Sequence, residues 1–258
     1  MTANISYGRY FKNDFMITKC LLCLLVSFIN IQVFAQQITN IVMVGPDGVT
    51  DDLQKATSFI TIKQYPDSHF ERLDYKKGGP LVKVRSFKDP DLKILDGRYF
   101  EYSPNGTLTI SGNYLNNAKV NYLRTFNDTG EVVSSIRYSN DSIVEIVDLM
   151  KKDSSITYSD EKEASFPGGD KAWIKYLLKK LEKDNPADKS FHGGTVFVNF
   201  VVGTDGSIQE LFVSKSVEYI LDETSLQIIG SSPKWNPAYQ NGKYVRAYRR
   251  QPLTFIQE

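Results

Sequence analysis

From Phe70 to Tyr138 aromatic and β-branched residues alternate with polar ones, and Gly, Asn and Pro cut the alternation at short intervals. A two-residue period keeps one apolar face only in a strand; on a helix it would scatter around the whole circumference. The stretch therefore reads as antiparallel hairpins, and the hairpins repeat. Gly97 to Tyr114 runs GRYFEYSPNGTLTISGNY, and Val120 to Tyr138 runs VNYLRTFNDTGEVVSSIRY. Tyr99 recurs as Tyr122 and Gly106 as Gly130, a period of about 24 residues. Gly79 followed by Phe87 marks a weaker, earlier unit. Pro104-Asn105-Gly106 and Asp128-Thr129-Gly130 are turns that need left-handed backbone, which Asn and Gly adopt at low cost.

The flanks divide the chain further. Residues 36–69 form a lead-in, with a turn at Gly45-Pro46-Asp47-Gly48 and a short expected helix around Asp52 to Ser58. The hairpin repeats occupy 70–150 and close with a strand at Ile143 to Leu149. Residues 151–165 are rich in charge and read as an exposed linker without proline.

Residues 166–258 change texture again. Phe166-Pro167-Gly168-Gly169-Asp170 opens a helix in which Trp173, Leu177 and Leu181 recur every four residues, flanked by Ile174 and Leu178. Lys171, Lys175, Lys179 and Lys183 take its wet face, and Asn185-Pro186 stops it. Gly194 to Val202 is a strand joined across Gly203-Thr204-Asp205-Gly206 to a second one, Ile208 to Lys215. Apolar residues on both faces of the first make it a central strand, covered partly on each side. A second helix starts near Leu221-Asp222, carries Leu226 and Ile229 inward and ends at Gly230 to Pro233. Asn241-Gly242 turns into a last strand, Lys243 to Phe255, in which Pro252 points to an edge or a bulge. Val245, Ala247 and Arg249 share one face of it, opposite Tyr244, Tyr248 and Arg250.

One segment is strongly apolar, Cys20 to Ala35, with Lys19 before it. A basic residue, a short apolar run and a small residue at its end describe a secretory signal peptide cleaved after Ala35. The other reading is an uncleaved inner-membrane anchor, although Asn30 and Gln32 interrupt a run already shorter than the roughly 20 residues a span needs. Both Met1 and Met16 are open as translation starts. The only cysteines, Cys20 and Cys23, lie in this segment, so cleavage would leave no thiol for disulfides, metals or nucleophilic attack.

With His69 and His192 as the only histidines, a histidine-based triad or metal site has little to build on. No paired carboxylates and no phosphate-binding glycine loop stand out, and Asp205-Gly206 is a turn without the other ligands of a calcium loop. Neither enzyme activity nor a cofactor nor a metal is expected. The net charge of +1 supplies no broad field toward nucleic acid or an anionic membrane.

Two resemblances follow from these motifs. The repeating G-x-Y-x-x-Y…N-G-x-L pattern resembles the MORN-like repeats of the YwqK antitoxin-like family over about two units, the second lacking its leading glycine. Those repeats imply a stacked antiparallel sheet and fix no ligand. From Phe166 onward the order is F-P-G-G-x-x-A, helix, N-P-A, then G-x-V-x-V-x-F-x-V-x-x-D-G, V-x-K-S, L-D-x-x-x-L, P-K-W-x-P-A-x-x-x-G-K and P-L-x-F. This resembles the TonB C-terminal domain of the Bacteroidota type, across about a third of the chain. A Tyr-Pro usual at the end of the first helix is Asn185-Pro186 here.

The resemblance implies an α+β chain: hairpin repeats, then a two-layer domain with a three-stranded antiparallel sheet and two helices. It implies a periplasmic, non-enzymatic adaptor that binds the TonB box of an outer-membrane receptor as an added strand. The edge it assigns is Tyr244, Val245, Arg246, Ala247, Tyr248, Arg249 and Arg250. A motor of the ExbB/ExbD type is a further implied partner if the chain is anchored. The alternative is a scaffold or binding protein that uses the same module, or its hairpins, without transmitting force.

Overall fold

The computed structural model describes residues 37–149, 161–183, 186, 190 and 192–256. The apolar Cys20 to Ala35 segment and most of the 151–165 linker lie outside them. Gln36–Glu258 forms one compact unit. Its described residues are mostly β-sheet with two helices.

Ten strands, β1 (Gln37–Gly45), β2 (Gly48–Val49), β3 (Ser58–Gln64), β4 (Phe70–Lys76), β5 (Leu81–Phe87), β6 (Leu95–Tyr102), β7 (Leu108–Leu115), β8 (Ala118–Phe126), β9 (Val132–Ser139) and β10 (Ser142–Ile146), make one antiparallel sheet. From β3 to β10 each strand lies beside its sequence neighbour, the order that short hairpin turns dictate. The lead-in thus joins the same sheet through β1 and β3. The helix expected around Asp52 to Ser58 is instead a turn: Asp52 Oδ1 accepts from the Gln54 N–H at 2.8 Å, a local bond that competes with helix continuation.

Three hairpin turns are superimposable in their bonding. Ser103 N–H donates to Thr107 O at 2.8 Å, Asn127 N–H to Glu131 O at 3.0 Å and Gly203 N–H to Ser207 O at 2.8 Å. Each has a glycine at φ near +80°, namely Gly106 (+84°), Gly130 (+83°) and Gly206 (+80°). Register corrects the repeat alignment, however. Tyr99 pairs with Gly112, against which Leu123 packs, and Tyr99 meets Tyr114 with ring centroids 5.3 Å apart. Tyr122 shares the other face with Arg124 and Ser111. The counterpart of Tyr99 is therefore Leu123, because a slip of one residue turns a strand's side chain to the opposite face.

The C-terminal part comprises α1 (Gly169–Lys183), β11 (Gly194–Val202), β12 (Ile208–Lys215), α2 (Tyr219–Gly230), β13 (Ala238–Gln240), β14 (Lys243–Val245) and β15 (Ala247–Phe255). Its sheet has the order β12-β11-β15, and β13-β14 form a separate hairpin. Val196, Val198, Phe200 and Val202 of β11 are buried against Trp173, Leu177, Leu221, Ile229 and Trp235. Phe166, Trp173, Tyr176 and Trp235 form one aromatic cluster at the start of α1. Lys162 and Ser165, assigned by sequence to the linker, pair with Tyr239 and Asn236 and so belong to this layer.

Candidate functional site

An exposed strand edge carries unpaired N–H and C=O groups, which invite pairing unless something covers them. The three-stranded sheet has two such edges, and the chain treats them differently.

The β12 edge is sealed by the ten-stranded sheet. Arg98 Nη1 donates to Leu211 O at 2.8 Å and the Tyr102 hydroxyl to Val213 O at 2.7 Å. Thr107 bridges to Lys215, and Ser216 N–H donates to Gly106 O at 2.8 Å. Alternate outward carbonyls of β12 thus find side-chain donors, as buried backbone groups require. Around them Phe100 packs on Phe212, and Tyr219 meets Phe59 and Tyr75 edge-on.

Ionic groups reinforce this seal. Lys63 and Glu223 pair at 2.5 Å with both side chains almost fully buried. Asp222, wholly buried, accepts from Ser216 Oγ at 2.5 Å, Val217 N–H at 3.1 Å and Tyr75 OH at 3.2 Å. Burial pushes its carboxyl up to about 7, against which those three donors pull it down. Burial alone would also raise Glu71, but Arg98, Lys63 and Tyr65 outweigh it and hold that carboxyl below its usual value.

The β15 edge is different. β15 pairs with β11 over nine residues, from Ala247 opposite Val202 to Phe255 opposite Gly194. Among the described residues no strand pairs with its other side. The strand expected from Lys243 to Phe255 is broken at Arg246: Tyr244 and Val245 lie in β14, paired with Tyr239 and Ala238. Val245 and Ala247 pack against the core, while Tyr244 and Tyr248 are 61% and 76% exposed. Arg246 pairs with Glu210 across the sheet. Arg249 turns inward to Glu163 Oε2 at 2.8 Å and to Ala164 O. Arg250 lies over the Phe197 ring at 4.3 Å, with its guanidinium beside Gly130 of the β8–β9 turn. The seven residues therefore sit in one neighbourhood but on two strands. Beside them Lys162, Glu163, Ser165, Asn236, Pro237, Tyr239 and Tyr244 line an open cleft of about 540 Å³.

The segment Asn236–Ile256 carries four basic residues, Lys243, Arg246, Arg249 and Arg250, and no acidic one. Two of these arginines are already engaged by Glu210 and Glu163, a pairing invisible in the sequence because the partners lie 36 and 86 positions away. His192 is exposed, and His69 pairs with Asp67 and stacks on Tyr65. No group of three or more potential metal ligands occurs among the described residues. Nor is any helix among them long and apolar enough to cross a membrane.

Residues 186–256 match the family model of the Gram-negative bacterial TonB protein C-terminal. The matched stretch takes in β11, β12, α2 and β13 to β15; α1 and the hairpins precede it. That family is one of non-enzymatic transport and energy-transduction proteins whose C-terminal domains interact with TonB-dependent receptors. Comparison with curated proteins and with solved structures returns no match.

Proposed function

We propose that this chain is a periplasmic, TonB-like adaptor whose β15 edge takes an extended receptor segment as a fourth strand. One observation carries the reading: of the two edges of the TonB-like sheet, β12 is sealed and β15 is open. Strand addition would draw its affinity from main-chain hydrogen bonds and its selectivity from alternate side chains. Tyr248 and Arg250 face outward on the strand, and Tyr244 lines the cleft at its start. The receptor's TonB box is the partner of this chemistry, reached in the periplasm after export through the Cys20 to Ala35 segment. The hairpin sheet, MORN-like in its sequence period, supports the module along β12 and reaches Arg250 of β15 with its Gly130 turn.

The test is photo-cross-linking from position 248 to synthetic TonB-box peptides, with the exposed position 53 of the lead-in as the control. Label transfer from 248 alone supports the reading; transfer from neither, or from Tyr99 or Leu123 instead, removes it.

A second reading, an adaptor that does not transmit force, draws on a specific feature. The stretch between β10 and Lys162 holds no proline, so it lacks the stiff extended spacer that polyproline geometry would supply. Coupling to an ExbB/ExbD-type motor requires the N-terminal segment to stay in the inner membrane. Sequencing the N-terminus of the exported protein separates the two: a chain that begins at Gln36 has no motor connection.

A further inference from the structure

The outward face of α1 is not polar throughout, and none of its ion pairs or core contacts among the described residues covers it. Trp173 and Leu177 are buried, yet Ile174 and Leu178 are 56% and 55% exposed. Lys171, Lys175 and Lys179 are exposed beside them. At 3.6 residues per turn these five side chains fall within a sector of about 140°. Lysines and apolar residues each recur every four positions, so they form two adjacent stripes along the helix. Asp170 and Glu182 stand only at its two ends, and no ion pair involves Lys171, Lys175 or Lys179 among the described residues.

We propose that this face adsorbs to an anionic lipid surface. The three ammonium groups would meet headgroup phosphates, while Ile174 and Leu178 enter the boundary with the acyl chains. Charge complementarity selects the occupant. The net charge of the chain is only +1, but this stripe is locally tricationic. Residue choice also separates lipid from protein. Protein interfaces enrich arginine and aromatic residues and deplete lysine. The β15 edge has that composition, with Arg246, Arg249, Arg250, Tyr244 and Tyr248. α1 has five lysines and no arginine, and lysine's mobile ammonium on an apolar stem suits a fluid surface of point charges.

Vesicle flotation of the full chain tests this. Binding to phosphatidylcholine vesicles is subtracted from binding to vesicles with one-third phosphatidylglycerol, which cancels adsorption through the apolar Cys20 to Ala35 stretch. The expected result is a salt-sensitive increment for the anionic vesicles. Lys171→Gln/Lys175→Gln/Lys179→Gln should lower it about 100-fold, and Ile174→Ser/Leu178→Ser about tenfold. All five positions are exposed, so unchanged circular dichroism and Tm would show that the fold is kept. An increment that survives both variants, or no increment at all, overturns the proposal. A stripe that contacts an acidic protein instead would give the second of these outcomes.

Discussion

The two edges of the C-terminal sheet present the same backbone problem and receive opposite solutions. β12 is covered by a second sheet that brings the Arg98 guanidinium and the Tyr102 hydroxyl to its carbonyls, beside a buried ion pair to the following helix. β15 has no strand on its outer side among the described residues, and its neighbourhood carries the exposed Tyr244 and Tyr248 beside arginines held by Glu210, Glu163 and the Phe197 ring. Covering an edge with charge is costly unless every group is paired, since desolvation can exceed the Coulomb gain. The sealed edge is therefore where substitutions should damage the fold, and the exposed tyrosines of the open edge are where they should damage binding alone.

The largest effect should come from Lys63→Ala, which strands Glu223 in the interface. Removing one partner of a buried pair costs about 4 kcal/mol, readable as a lower urea midpoint. Lys63→Met with Glu223→Leu should recover most of that loss, and failure to do so would mean the pair contributes more than mutual neutralisation. Next, Gly106→Ala places a Cβ 2.2 Å from Ser216 O at a backbone φ of +84°. Turn and clash together should cost about 3 kcal/mol, and amide exchange should rise in both β7 and β12 if the sheets separate locally.

Asp222 makes the sealed edge pH-dependent. Its folded pKa, about 7, lies above the ordinary 3.8, so the folded protein keeps a proton that the unfolded chain has released. Its contribution is complete below about pH 4 and is lost as pH rises toward 7, a decline of about 2 kcal/mol between pH 5 and 7. Asp222→Asn should flatten that slope in urea titrations at successive pH values; an unchanged slope would place the titrating group elsewhere. The smallest effect on folding belongs to the open edge. Tyr248→Ala should leave stability within about 0.5 kcal/mol in thermal melts while reducing capture of a TonB-box peptide. A comparable fall in Tm would mean that the edge is part of the core.

Much of this architecture is legible in the chain. Hairpins follow from a two-residue period and left-handed glycines, as the matching turns at Gly106, Gly130 and Gly206 show. Those same cues could not settle register. Tyr122 looks like the repeat of Tyr99, yet only pairing places it on the other face, because one residue of offset reverses a side chain. In the lead-in the sequence suggests a turn and a short helix, and β1 and β3 are not legible because each needs a neighbouring strand to supply half its hydrogen bonds. For the candidate edge, the residues from Tyr244 to Arg250 were readable as a strand rich in arginine. The break at Arg246 and the engagement of Arg249 by Glu163 and Ala164 were not.

What the sequence determined by itself is local: turns, hairpins, the lysine face of α1, and a C-terminal stretch similar to a TonB-type domain. What the tertiary structure decided is which edge is used up. Lys63, Glu71, Arg98, Asp222 and Glu223 look like ordinary surface charges in a list of residues. Only the packing of one sheet against the other brings them within hydrogen-bonding distance and removes the water around them. Their pairing holds the two sheets together over β12 and α2, while β15 has no strand on its outer side among the described residues.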